Sequence, residues 1–594
     1  MRIPKSKLEK FVRGLVEQCQ ISQNSRVNRG GVYKNYFLLG SENAQNNVLY
    51  NKIWAYIDDL ESLLYSPVSL RFHIGDSDMP NLLDQAKGRA ASAHLHKKTR
   101  QSNTDTMISE AVSWALVKGK SFIKMQYKRT DFAPDLIQPE MMGVFQENRA
   151  RLDEDMECFV HSTYITPYQF ERLIWNHPDK AELLKKSRRY TRPGKGGMSD
   201  ADQAMKQVIV GGLYPFQPQG SQSPNATRGI VDWMGGPSPV LSPSVMENLL
   251  KLDELWVWDD EREDWATFQM IGEDMLVMGK YRILNAFAYN PASKLEIPEL
   301  KGHHPFVEFC PNRIDNYFWG RSEIVNVAML QEAINSRLAG INSLLRMQED
   351  PPHKFLGSTG VNQNALARFK KPGGYWSDNN PNAKVETDSP QISGDLWESL
   401  REYERMFDEM GGLPPIAKGR GESGVRSQGH AETLVRMFSP RFKDRALLVE
   451  RDVEACGGLM LDLARVHIDK RLIAWLPEKY AGLEATKEPN PFLVPPAPGL
   501  APVEFTYSDL EDDMSLTVDS HSSSPAFQAE ARSLAFDLLK IGAMAPDDLV
   551  EHVDAPNPEA LIAGMERRAA EKSAQLAAMS PEERAKAVSG GKKH

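Results

Sequence analysis

One segment constrains this chain more than any other: Tyr317 to Asp350, YFWGRSEIVNVAMLQEAINSRLAGINSLLRMQED. In it Ile324, Val327, Leu330, Ile334, Leu338, Ile341 and Leu345 recur every three or four residues, which lays one apolar stripe along a helix for about seven turns. At the standard rise that helix is on the order of 40 Å long, too long for the core of one small domain. Glu332, Asn335, Asn342 and Arg346 give it a polar opposite face. Pro351 and Pro352 stop it. A compact segment follows, with turn signals at Pro372–Gly374 and Asn379–Asn382. A second helix then begins, SGDLWESLREYERMFDEMGG. Its Leu396, Leu400, Tyr403, Phe407 and Met410 alternate at spacings of four and three, the seam of helices packed side by side. Asp395, Glu398, Glu402, Glu404, Asp408 and Glu409 outnumber Arg401 and Arg405, so its exposed face is acidic.

Gly411 and Gly412 end the second helix, and a loop from Gly411 to Gly429 holds six glycines, with Lys418, Arg420 and Arg426 against the single acid Glu422. A third long helix is expected from about His430 to Leu472, bent near its start by Pro440. Upstream, Ile53, Tyr56, Ile57, Leu60, Leu63 and Leu64 give residues 48–65 helical spacing. Residues 103–127 read as a helix closing at Lys118–Gly119, where glycine suits the cap, followed by a strand, SFIKMQY. The amino terminus is only weakly helical in pattern. From about 192 to 244 Gly, Pro and Ser dominate, which predicts a long irregular insertion. Two aromatic-rich strands then flank Asp259 to Asp264, best read as a solvated hairpin turn, because consecutive acids in a turn do not converge on one metal ion. A Pro-rich connector leads to a predicted strand, VEFTYSDL, and Ser524–Pro525 open terminal helices. The expected fold class is mixed α+β and helix-rich.

Composition narrows the functions. The net charge is -9, where a protein that grips nucleic acid through its phosphates is usually basic. Cys19, Cys158, Cys310 and Cys456 lie more than a hundred residues apart with no CxxC pair, which points to buried thiols rather than a zinc or dithiol site. No apolar run spans a bilayer, and the first residues resemble neither a secretory signal nor an anchor, so synthesis in the cytoplasm is expected. Gly419 to Gly424 matches GxGxxG, but two prolines precede it where a dinucleotide fold needs a buried strand. Gly119-Lys120-Ser121 resembles the end of a phosphate loop, yet Trp114 stands where its first glycine belongs. His94 with His96, and His303 with His304, lack a nearby acid or cysteine at ligand spacing and read as surface or turn histidines. No cofactor, metal site or catalytic constellation is expected.

The order long helix, small α/β segment, second helix, glycine-rich basic loop, third helix and returning strand resembles the portal proteins of tailed double-stranded DNA bacteriophages. HPFVEFCPNRIDNYFWGRSEIVNVAMLQEAINSRLAGIN is similar to the family's lead into its first stem helix, and GGLPPIAKGRGESGVRSQGHAETLV to its tunnel loop. ISEAVSWALVKGKSFIKMQY resembles a wing element, and APDDLVEHVDAPNPEALI the helical crown. The insertion at 192–244 has no counterpart. The resemblance implies a wing over 1–316, a first stem helix within 317–350 and a clip over 351–392. It further implies a second stem helix over 393–411, a tunnel loop over 412–429, a long helix returning to the wing over 430–522, and a crown from 523 to 594. Lys418, Arg420 and Arg426 would face DNA, and Lys354, Arg368, Lys370 and Lys371 would lie in the clip's contact surface.

The implied function is structural rather than enzymatic. Twelve subunits would form a ring at one vertex of the virion capsid, assembled in the bacterial cytoplasm, through which DNA is packaged and ejected without sequence specificity. Its implied partners are further copies of itself, the terminase large subunit, the head–tail adaptor, and the major capsid and scaffolding proteins, with no membrane. A nucleic-acid-processing packaging enzyme, or another virion component such as an adaptor, remain the alternatives.

Overall fold

The amino-terminal helix α1 (Lys5–Leu39) is the longest element, roughly 50 Å at 1.5 Å per residue. Its weak sequence periodicity has a cause: its two halves bury against different partners, so no single stripe runs its length. The computed structural model describes residues 5–42, 50–65, 72–75, 82–128, 130–152, 156–175, 179–190, 249–271, 274–276, 285, 287–290, 295–349, 351, 353–358, 380–387, 393–412, 440–477, 500–510, 515–518, 536 and 538–540. The expected insertion at 192–244, the tunnel loop from 413 onward and nearly all of the crown lie outside the described residues.

After α1 come α2 (Lys52–Leu64), β1 (Phe72–Gly75), α3 (Leu82–Gln101), α4 (Thr104–Lys118) and β2 (Ser121–Lys124). Asn51 caps α2 by accepting the Trp54 N–H at 3.2 Å, and Ile53, Tyr56, Ile57, Leu60 and Leu64 are buried, as their spacing predicts. Gly119 ends α4 with a φ of 94°, again as expected. Short strands β3 (Tyr127–Lys128), β4 (Asp131–Phe132), β5 (Asp135–Ile137) and β6 (Met142–Val144) lead to β7 (Cys158–Ile165), α5 (Pro167–Leu173) and α6 (Lys180–Tyr190). Then follow β8 (Leu250–Asp259), β9 (Asp264–Ile271), β10 (Asp274–Leu276), β11 (Tyr289–Asn290), β12 (Leu295–Glu296) and β13 (Phe306–Phe309). The long helix α7 (Ile324–Glu349), β14 (His353–Leu356), β15 (Lys384–Thr387), α8 (Gly394–Gly411), α9 (Pro440–His467), β16 (Leu472–Pro477), β17 (Leu500–Phe505) and β18 (Ser515–Val518) complete the order. The protein is a mixed helix and sheet fold, rich in helix, as its sequence predicts.

The layers follow from side-chain alternation. An antiparallel sheet runs β10-β9-β8-β7-β6. Its Cys158, Val160, Leu255, Ala266, Phe268 and Met270 meet Leu8, Val12, Val16 and Cys19 of α1 on one face. On the other, Phe159, Trp256 and Trp265 join Phe122, Phe306, Phe318 and Trp319 in an aromatic core. Neighbouring residues thus serve opposite layers, the period of two that a strand imposes. A second sheet, β13-β2-β5, closes the aromatic core. Its reverse face, through Ile123, Val307 and Phe309, enters the largest cluster, built on α2, α3, α4, α9 and the start of α7. Between the sheets, Lys124 Nζ reaches Glu254 at 2.6 Å, with His161 at 3.7 Å. Burial works to raise the Glu254 carboxyl, but Lys124 and His161 overcome it and hold the group at about 2.

Several expectations need correction. The third helix ends at His467, and Leu472 opens a strand instead, pairing with Phe505. The described part of that helix starts at Pro440, and the bend expected near its start involves residues before 440 that lie outside the described residues. The hairpin at Asp259–Asp264 is present, but Asp264 is not solvated. It is buried, and its Oδ1 accepts from Asn285 Nδ2 at 2.8 Å and from the Gly302 N–H at 2.9 Å. His94 and His96 lie within α3, half-buried, and His304 is buried among Phe159, Trp265 and Phe306. The surface or turn setting expected for these histidines therefore holds for His303, which is exposed beside the turn at Lys301–Gly302, and not for the other three. The four cysteines are buried and free, and Cys19 and Cys158 bring their sulfurs to 3.8 Å across α1 and β7.

Candidate functional site: a rooted helical hairpin

The apolar stripe of α7 starts on a carefully fastened root. At the end of α4, three carbonyls have no partner within their own helix. The Glu323 N–H donates to Leu116 O at 3.0 Å, Ser322 Oγ to Val117 O, and Arg26 Nη2 to Lys118 O at 2.8 Å. The Gly320–Glu323 turn therefore both caps α4 and launches α7. Only glycine fits at its first position: a Cβ on Gly320 would stand 2.6 Å from Gly119 O, and the φ there is +65°.

Glu323 ties the root together. Its buried carboxylate accepts from Tyr56 Oη at 3.0 Å and Asn312 Nδ2 at 2.6 Å, and pairs with Arg445 at 2.8 Å. Those residues come from α2, the loop before α7, and α9. Burial first, and then the Glu323 charge, push the Tyr56 phenol well above its ordinary range. The same hydroxyl lies 3.1 Å from Gly411 O, at the far end of α8. A Cβ on Gly411 would stand 2.7 Å from the Tyr56 ring, and Phe407 meets that ring edge-on at 5.8 Å. Lys52 adds a second tie, to Asp408 at 3.0 Å and Glu404 O at 2.9 Å. The outgoing and returning helices are thus clasped by one helix, α2.

The polar face of α7 expected from the sequence is in use near the root. Gln331 accepts the Lys52 N–H at 3.1 Å and donates to Tyr50 O at 2.8 Å. Glu332 accepts from Ser41 Oγ at 2.9 Å, and Asn335 donates to Gly40 O at 2.8 Å. Beyond Ile341 the picture changes. No described residue of α7 after Ile341 is buried, and α8 buries only Leu400, Phe407 and Gly411. The two helices pack on each other through Leu338, Leu396 and Tyr403, with Arg337 over the Tyr403 ring at 5.9 Å. Beyond them the antiparallel pair β14–β15 has no buried residue. Large apolar side chains stay in water along the hairpin: Met329 is 85% exposed and Met410 54%, and Leu345, Met347 and Trp397 are also exposed.

Of the residues proposed from sequence, Lys354 sits on β14, exposed, opposite Glu386. Arg368, Lys370, Lys371, Lys418, Arg420 and Arg426, and the GxGxxG segment at Gly419, lie outside the described residues. Lys120, the lysine of the phosphate-loop look-alike, is buried: it donates to Phe318 O at 2.9 Å and pairs with Glu308 at 2.9 Å. His94 holds Tyr507 Oη at 3.0 Å. Among the described residues, no group of three or more His, Cys, Asp or Glu side chains is arranged to hold a metal ion, and no helix is long and apolar enough to cross a membrane. Sequence reasoning missed Glu323 and Arg445, because a lone acid beside an apolar run carries no signal of its remote partners.

No protein-family model matches the chain, and none of the curated proteins compared with it matches. The likeness to portal proteins therefore rests on the segments quoted for it.

Proposed function

We propose that the chain is the ring-forming portal subunit of a tailed double-stranded DNA phage, a conduit rather than an enzyme. One observation carries the reading. A 26-residue and an 18-residue helix leave the body side by side, rooted at Tyr56 and Glu323, and keep large apolar side chains in water. An exposed apolar surface of this kind calls for a neighbour. A repeated head-to-tail contact between copies closes into a ring when the rotation per subunit allows it. In that reading α7 and α8 are the stem helices, and the β14–β15 ladder with its intervening segment is the clip that docks terminase and adaptor. Lys354, Arg368, Lys370 and Lys371 belong to that surface. The body is the wing that meets capsid and scaffolding proteins.

Electrostatics favours sliding over gripping. Twelve copies at -9 each amount to roughly -108, which repels phosphates along the channel. The loop with Lys418, Arg420 and Arg426 would touch the DNA backbone without reading bases. Electron microscopy of the purified full-length protein tests the reading: closed rings with a central hole are expected. Monomers only, or filaments with no hole, overturn it. Replacing Lys418, Arg420 and Arg426 by Ala should leave rings intact and impair packaging or DNA retention.

A further inference from the structure

A cavity of about 320 Å³ opens where the end of α4, the start of α7 and the middle of α1 meet. Arg26, Arg29, Lys118 and Arg321 line it, with Tyr33 and Tyr317 on its walls, and no acidic side chain lines it. Behind the wall, Lys118 is committed to Glu140 at 2.8 Å and to Gln138 Oε1 at 2.6 Å. Lys34 is buried beside the same pair. Burial first, then the Lys118 charge, hold its ammonium down to about 7 against the pull of Glu140. Lys34 and Lys118 thus place two buried amines beside Glu140, next to the buried guanidinium of Arg26.

The remaining donors point to a ligand. Arg26 is buried, spends one Nη on Lys118 O, and stacks its guanidinium 5.0 Å from the Trp319 ring centroid. Its Nε–H is buried with no hydrogen-bond partner among the described residues. A buried donor left unmade is costly, about 1–3 kcal/mol in general, so such a group usually has a partner. Arg29 and Arg321 stand exposed at the rim, and neither has an ion-pair partner among the described residues. Ser322 and Val325, which also line the cavity, place the amino end of α7 beside it, where the helix dipole is positive. The opposing negative end of α4 is already neutralised, since its terminal carbonyls are taken by Glu323, Ser322 and Arg26.

We propose that this cavity is a binding site for a phosphate group. Three guanidinium groups not committed to a carboxylate match a divalent tetrahedral anion, whose oxygens can accept from more than one planar fork at once. A carboxylate has two oxygens and one charge, and would leave most of that positive field uncompensated. The phosphate group has two sources, a free or terminal phosphate and the phosphodiester backbone of nucleic acid. The site stands on its own geometry and does not depend on ring formation.

Titration of the full-length protein with inorganic phosphate at neutral pH, read by calorimetry and by phosphorus NMR line width, tests it. Acetate at matched ionic strength is the control. Saturable binding of phosphate and none of acetate is expected. Arg29→Ser combined with Arg321→Ser changes two exposed side chains and leaves Arg26 and the fold in place. It should weaken phosphate binding by about tenfold or more, each tenfold being about 1.4 kcal/mol. A short DNA duplex added to the phosphate complex separates the sources: displacement assigns the site to a backbone phosphate, and its absence to a free or terminal one. Binding of acetate as tight as that of phosphate, no saturable phosphate binding, or binding unchanged in the double variant overturns the proposal. An acidic peptide that binds in the cavity where phosphate does not would overturn it as well.

Discussion

The two halves of the α7–α8 hairpin have the same sequence pattern and different fates. Near the root the stripe residues Ile324, Val327 and Ile334 are fully buried, and polar neighbours have specific partners, Gln331 with the Lys52 N–H and Asn335 with Gly40 O. Past Ile341, which is still buried, the next stripe member, Leu345, is 39% exposed, and the exposed face of α8 carries the ion pairs of a solvated surface, Arg405 with Glu402 and Glu409. The difference teaches that an apolar stripe specifies a helix but not what covers it. The body covers one part, and the rest stays exposed to water.

Variants can break this comparison, starting where the effect is largest. Glu323→Ala removes the buried acid that Arg445, Tyr56 and Asn312 share, and should cost about 3–5 kcal/mol, the usual loss when one partner of a buried pair goes. Urea unfolding measures it, and a loss under about 1 kcal/mol would mean that the root is not fastened there.

Acid should act on the body next. The Glu254 pKa is lower folded than unfolded, so its stabilisation is complete above about pH 4.5 and is lost as pH falls through about 2. The full span from 4.5 to 2 is worth about 3 kcal/mol at 1.36 kcal/mol per unit. Glu254→Gln should flatten that part of the stability–pH curve; a curve parallel to that of the parent protein would refute the assignment.

Gly411→Ala pushes a methyl group into the Tyr56 ring, and should cost about 1–3 kcal/mol by overpacking. The smallest effect belongs to the exposed face of α8. Arg405→Ala should change stability by at most about 0.5 kcal/mol, and 1 M salt should erase even that, because both its acid partners are exposed. An effect as large as that of Glu323→Ala would erase the distinction between the fastened charges of the root and those of the exposed face.

Much of this architecture was legible residue by residue. The spacing of Ile53, Tyr56, Ile57, Leu60 and Leu64 marked α2 and its buried face together. Pro351 and Gly412 marked where the two helices of the hairpin end, and Gly119 ended α4. These are local signals, carried by periodicity and by residues whose backbone preferences act within a turn. The end of α9 was misplaced by five residues because Leu472 continues its apolar pattern, and only pairing with Phe505 turns it into strand. Asp264 looked like one acid among several in a turn, and became a buried acceptor because Asn285 and Gly302 come to it from a distant loop.

What the sequence determined by itself is therefore the helices with a clear apolar period, their order, and the long paired helices that dominate the chain's centre. Tertiary structure alone decided which ends are fastened and which charges are shared: Glu323 with Arg445, Lys118 with Glu140, and the cavity where Arg26, Arg29 and Arg321 converge. The physical reason is range. Hydrophobic periodicity repeats within a few residues and can be read along the chain, whereas a charge finds its partner through space, across separations of 122 residues between Glu323 and Arg445 or 295 between Arg26 and Arg321.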